Sequence, residues 1–126
     1  MTTCPILIVE DDDIFGGTLK DLIEDMGYSA RRARDGREAL KLLRQVTPSL
    51  VLIDLFMPGM NGHELLRAIR NDPRLNRIPK IIMTAANDPM VGVKEDVSVL
   101  YKPIDVSVLA RVLERHCERA DRSAPI

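Results

Sequence analysis

Leu50-Val51-Leu52-Ile53-Asp54-Leu55-Phe56-Met57-Pro58-Gly59-Met60-Asn61-Gly62 is the stretch that decides the fold. Its apolar, partly β-branched opening reads as a strand buried on both faces, the pattern of a parallel sheet covered by helices. The run ends on a lone carboxylate, Asp54, and a Pro-Gly turn follows, so the aspartate is presented at a strand's end. Ile6-Leu7-Ile8-Val9 likewise runs into Glu10-Asp11-Asp12-Asp13, Ile81-Ile82-Met83 into Thr84, and Val97 to Tyr101 into Lys102. Charged or hydroxylic side chains therefore stand at the C-terminal ends of four expected strands.

Helical periods fill the intervals. Ile14, Phe15, Thr18, Leu19, Leu22, Ile23 and Met26 recur on one face and stop at Gly27, which tolerates the left-handed conformation that ends helices. Asp12 or Asp13 is expected to cap this helix. Ala39, Leu40, Leu43 and Val46 form a second stripe, ended by Thr47-Pro48, and Leu65, Leu66 and Ile69 a third, ended before Asn71-Asp72-Pro73. Val106, Leu109, Ala110, Leu113 and Cys117 form the last, opened by Asp105 as N-cap, with Arg111, Glu114, Arg115 and Glu118 on the wet face. Tyr28 to Arg34 is a weaker strand whose Arg31, Arg32 and Arg34 suit an exposed edge. This alternation implies a doubly wound α/β fold with right-handed crossovers and helices on both faces of a parallel sheet. Ligands of such sheets bind beyond the C-terminal strand ends, where Glu10, Asp11, Asp54, Thr84 and Lys102 all fall.

Composition excludes other classes. At 126 residues the chain is about one domain with a single core. Apolar residues make up 45%, yet no run approaches the roughly 20 needed to cross a bilayer, and no basic-then-apolar signal opens the chain. A soluble, cytoplasmic protein is expected. With 18 basic and 19 acidic residues, a formal charge of -1 gives no nucleic-acid or polybasic membrane surface. Cys4 and Cys117 form no metal-spaced pair and are expected to be free thiols. His63 and His116 lack partners for a triad or a metal site, Met57 and Met60 are expected to pack the loop, and Gly59 and Gly62 to serve turn geometry.

Ile8-Val9-Glu10-Asp11-Asp12, Leu52 to Gly62, Ile81-Ile82-Met83-Thr84-Ala85 and Tyr101-Lys102-Pro103 together resemble the receiver domain of two-component response regulators. Each piece alone is weak; their order and their places at strand ends are specific. The resemblance covers about residues 5 to 118 and implies a five-stranded, flavodoxin-like (βα)5 fold of strand order 2-1-3-4-5. It further implies that Asp54 takes a phosphoryl group from a phosphohistidine on a sensor histidine kinase or histidine phosphotransfer protein. Crowded carboxylates suit a hard cation, above all Mg²⁺, with Asp11 and Asp54 as direct ligands and Glu10 acting through water; the resemblance implies the Phe56 backbone carbonyl as another ligand. Lys102 then neutralises a phosphoryl oxygen and Thr84 donates a hydroxyl hydrogen bond to the phosphoryl group. In the family the Lys-Pro bond, here Lys102-Pro103, is typically cis and directs the lysine into the site. Such a protein catalyses only its own phosphorylation and dephosphorylation and signals by changing shape and binding a further protein.

Departures from the family pattern sit after the fourth strand. An aromatic residue usually stands three positions before the lysine; here it is Val99, while Tyr101 adjoins Lys102. Thr84 to Lys102 spans 18 positions, short of the family's usual spacing by about four residues, one helical turn. Asn87 to Asp96 holds Pro89, Gly92 and valines, so the fourth helical segment is expected to be short or irregular. Phe56 cannot orient water by hydrogen bonding, which predicts a long-lived phosphoryl state.

Two other classes compete with this reading. An aspartate-nucleophile phosphatase needs a second aspartate two residues on as general acid, where Phe56 stands. A degenerate receiver acting by phosphorylation-independent binding finds support only in Val99 and the shortened fourth helical segment. The receiver is expected over residues 1–118, with a polar tail at 119–126 too short for a DNA-binding or catalytic domain. A chain continuing past residue 126 is equally compatible with an effector domain, and the downstream target is not legible.

Overall fold

The computed structural model describes residues 5–55, 57, 61–85 and 98–117. Five strands, β1 (Pro5–Val9), β2 (Ser29–Ala33), β3 (Leu50–Asp54), β4 (Lys80–Ala85) and β5 (Ser98–Lys102), alternate with helices α1 (Asp13–Asp25), α2 (Gly36–Leu43), α3 (Gly62–Arg70) and α4 (Val106–His116). Every pairing is parallel and the order is β2-β1-β3-β4-β5, the flavodoxin-like arrangement. The fourth helical segment expected from the sequence lies outside the described residues, so α4 denotes the C-terminal helix.

Both faces of the sheet are apolar, and successive residues of each central strand serve opposite cores. Leu7, Val9, Val51, Ile53 and Ile82 pack against Ala39 and Leu43 of α2 and Leu65, Leu66 and Ile69 of α3. Ile6, Ile8, Leu50, Leu52, Ile81 and Met83 pack against Leu19 and Ile23 of α1 and Leu109 and Leu113 of α4. Each such aliphatic side chain, once buried, stabilises the fold by about 1.5–3 kcal/mol.

Capping fixes where the helices begin. Asp12 caps α1, its Oδ1 accepting from the backbone N–H groups of Ile14 and Phe15 at 3.0 and 3.1 Å. Asn61 and Glu64 form a reciprocal capping box on α3, and Asp105 caps α4. At the far end of α1, Gly27 adopts φ 97°, its N–H donating to Glu24 and that of Tyr28 to Ile23, a Schellman closure. The second helix ends at Leu43, a turn earlier than its apolar stripe suggested, because Gln45 N–H donates to Leu42 O and tightens the last turn.

Two sequence expectations change. Val106, read as part of the buried stripe of α4, is 48% exposed. Cys117, expected as a free thiol, is disulfide-bonded; Cys4 lies outside the described residues. Sequence distance concealed the thiol's surroundings because α4 packs on the same sheet face as β1, so Cys117 shares a core cluster with Ile6 and Leu113. Among the described residues no helix is long and apolar enough to cross a membrane.

Candidate functional site

The strand order sets the C-terminal ends of β1, β3, β4 and β5 side by side. Glu10 directly follows β1 and is 1% exposed, Asp54 ends β3 at 6%, and Thr84 lies one residue from the end of β4 at 1%. Lys102, the last residue of β5, reaches inward from 92 positions away to place its Nζ 2.9 Å from Glu10 Oε1 and 3.5 Å from Asp54 Oδ2. Asp11 is exposed at the rim. Carboxylate oxygens of Glu10, Asp11 and Asp54 all lie within 4.8 Å of one another. Glu10, Asp11, Asp54 and Lys102 thus form one charged cluster, and Thr84 stands near the end of β4, the strand between β3 and β5.

Electrostatics follow from this crowding. Burial, opposed by the Lys102 hydrogen bond and reinforced by Asp54, holds the Glu10 carboxyl above its ordinary range. Desolvation and the neighbouring Glu10 push Asp11 up as well. For Lys102, burial works to lower the pKa, but Glu10 and Asp54 outweigh it and the ammonium is held more firmly than usual. The same ammonium sits 4.5 Å from the centroid of the Phe15 ring, a cation–π contact that caps it from the α1 side. Three carboxylates facing one lysine leave an excess of negative charge, and their oxygens are the donor set a hard divalent cation requires.

Thr84 Oγ1 lies 3.4 Å from the carbonyl of Ala85, a long contact for a hydroxyl donor. Gly62 brings the start of α3 against the acceptor strand: its N–H donates to Leu55 O at 3.0 Å, and an added Cβ would lie 2.5 Å from both Asp54 O and Leu55 Cα. Its φ is not positive, so close approach and not turn conformation requires glycine here. Phe56, the expected carbonyl ligand, lies outside the described residues, as do Gly59 and Met60. Met57 is buried in the core beside α3. Val99 packs partly buried against the core under α2 and α3, Tyr101 is 53% exposed, and the Lys102–Pro103 bond is cis. His63 is the second residue of α3 and His116 the last of α4; neither belongs to the acidic cluster.

Two participants were not singled out from the sequence. Phe15 was assigned to the core stripe of α1, and only the path of Lys102 across the sheet end reveals its contact. Arg32 was read as one of several edge charges; its guanidinium instead reaches the Glu10 carbonyl.

Comparison with known proteins finds relatives across nearly the whole chain. Residues 6–114 match the family described as the response regulator receiver domain. The chain is 32% identical over 123 residues to the transcriptional regulatory protein AfsQ1 of Streptomyces coelicolor, an alignment covering 94% of this chain and 53% of that protein. It is 40% identical over 80 residues to the polar-differentiation response regulator DivK of Brucella anthropi, covering 64% of this chain and 65% of DivK. The chain therefore spans about half the length of the first relative and about two thirds of the second. Among solved structures, the signal receiver domain of a signal transduction histidine kinase from Syntrophus aciditrophicus superposes with a TM-score of 0.83 at 34% identity, covering 98% of this chain and 97% of that one.

Proposed function

The chain belongs to the response regulator receiver domain family, and we propose that Asp54 is its phosphoacceptor, loaded from a phosphohistidine of a sensor histidine kinase or histidine phosphotransfer protein. The observation that carries this reading is the placement of Asp54: a nearly buried carboxylate at a strand end, 3.5 Å from the Lys102 ammonium and clustered with Glu10 and Asp11. An Asp54 carboxylate oxygen attacks phosphorus; the new P–O bond forms as the P–N bond breaks, and the imidazole nitrogen departs with the bonding electrons.

The acidic cluster fits Mg²⁺, with Asp11 and Asp54 as direct ligands, Glu10 through water and the Phe56 carbonyl as a further ligand. When bound, the ion supplies charge neutralisation at the phosphoryl oxygens and in-line alignment. Lys102 contributes a second positive charge, already held over the site by Glu10 and Phe15. Thr84, near the end of the strand between β3 and β5, supplies a hydroxyl that donates to a phosphoryl oxygen. Tyr101 is the β5 register partner of Thr84. This supports assigning Val99 and Tyr101, with Pro103 beyond Lys102, to the segment through which a Thr84 movement is passed on.

The chain then works as a signalling domain that catalyses only changes of its own phosphorylation, within the cytoplasm, with the receiver over residues 1–118. Its relatives differ in their stated roles, one transcriptional, one in polar differentiation and one within a kinase, so the downstream protein partner is set by surfaces outside the acidic site. Phe56, two residues past Asp54, has no group that can orient water by hydrogen bonding, and the phosphoryl state is accordingly long-lived. Phe56→Asn is expected to shed phosphate about tenfold faster, about 1.4 kcal/mol off the hydrolytic barrier; equal decay rates would contradict this.

Incubation with acetyl phosphate or phosphoramidate tests the acceptor directly. Intact mass should show one added phosphoryl group that requires both Mg²⁺ and Asp54 and is missing from Asp54→Asn. A folded, Mg²⁺-binding parent that takes no phosphoryl group from either donor would sink the proposal.

A further inference from the structure

We infer that Arg32 is a positioning residue of the acidic site: its guanidinium fixes the Glu10–Asp13 loop in its cation-binding geometry, and Gly16 is glycine to admit it. The inference deepens the Mg²⁺ reading above and rests on it.

Arg32 lies on β2 as the register partner of Ile8, on the sheet face covered by α1. From there its Nε and Nη2 both donate to the carbonyl oxygen of Glu10, at 3.1 and 2.8 Å, while Nη1 stands 2.9 Å from Asp13 Oδ1. The side chain is only 14% exposed, unlike an ordinary edge-strand charge. Its main partner is a backbone carbonyl whose peptide plane also contains the nitrogen of Asp11. Holding that oxygen fixes the plane from which the Asp11 side chain departs, between two carboxylates whose mutual repulsion would otherwise splay the loop. The fork geometry matters as well, because a lysine offers one point of charge and cannot grip the carbonyl and Asp13 together.

The helix opposite is cut to fit. A Cβ on Gly16 would lie 2.4 Å from Arg32 Nε and 2.9 Å from its Cζ, whereas one on Gly17 would meet nothing within 4 Å. Glycine is the poorest helix former after proline, so two adjacent glycines inside α1 weaken it equally, but only Gly16 makes room for the guanidinium. Gly17 is therefore an internal control of the same local chemistry.

Isothermal titration with Mg²⁺ alone, on proteins verified as folded by circular dichroism, separates positioning from mere stitching of β2 to α1. Arg32→Gln and Gly16→Ala are each expected to weaken Mg²⁺ binding about tenfold, with Arg32→Lys recovering only part. Gly17→Ala should stay within about twofold of the parent, and the Arg32→Gln/Gly16→Ala double variant should be no weaker than either single one. If Arg32→Gln lowers the denaturation midpoint but keeps the parent's Mg²⁺ affinity, the arginine only stitches and the inference is overturned. Fully additive losses in the double variant would equally overturn the link between Gly16 and Arg32. Should Arg32→Gln fail to fold, the Gly16→Ala and Gly17→Ala pair decides by the same comparison. A parent that binds no Mg²⁺ is a different failure, that of the metal reading itself, and takes the inference with it.

Discussion

Gly62 shows how a single missing methyl group shapes the site. Because an added Cβ would press within 2.5 Å of Asp54 O and Leu55 Cα, Gly62→Ala must push α3 away from the end of β3. Overpacking of this kind costs about 1–3 kcal/mol, so a lower urea midpoint and slower phosphorylation of Asp54 are expected together; an unchanged midpoint would show that the loop yields freely. Glu10 makes a pH-dependent prediction. Its carboxyl is raised above 4.5, chiefly by burial, so the folded chain holds that proton more tightly than the unfolded one. In metal-free buffer this contribution to stability is present below the unfolded value and is lost as pH rises through the folded one. Urea midpoints across that window should fall for the parent, and the fall should shrink in Glu10→Gln. At this scale the places of Glu10, Asp11, Asp54, Thr84 and Lys102 at or beside strand ends were legible because each closes or follows an apolar run. Arg32 was not, because its role depends on strand register and on a glycine in a different element.

Element ends were partly written in the chain. In α1, the stop at Gly27 was readable since only glycine takes φ 97° without strain, and the two closing hydrogen bonds follow from that conformation. Gly27→Ala forces a Cβ into the left-handed region and should destabilise the protein by about 1–2 kcal/mol, measured by thermal or urea denaturation; a neutral result would mean the helix end can rewind. For α2 the apolar stripe ran past the true end, because Val46 is apolar yet follows a last turn tightened by the Gln45 to Leu42 bond. β5 defeats simple alternation in another way. Val99 and Tyr101 share a face, but at this sheet edge one dips into the core while the other stays 53% exposed. Burial at an edge depends on what covers it, and a two-residue period carries no information about cover.

Across the whole molecule, the strand order turns chain positions 10, 54, 84 and 102 into neighbours. Apolar residues on both faces of the central strands announced a covered parallel sheet, while the order itself came from resemblance and not from periodicity. The disulfide at Cys117 was hidden for the opposite reason: nothing in the local sequence tells that Cys117 shares a core cluster with β1. Carboxylates crowded beside a firmly protonated lysine supply the charges that the proposed Mg²⁺ and phosphoryl group require. The most direct test locates that group. After treatment with a small phosphoryl donor and Mg²⁺, borohydride reduction converts an aspartyl phosphate to homoserine, which tandem mass spectrometry places in the sequence. Homoserine at position 54 alone is the expected result; homoserine at Asp11 or another acidic residue, or none in a folded and Mg²⁺-loaded protein, would contradict Asp54 as the acceptor.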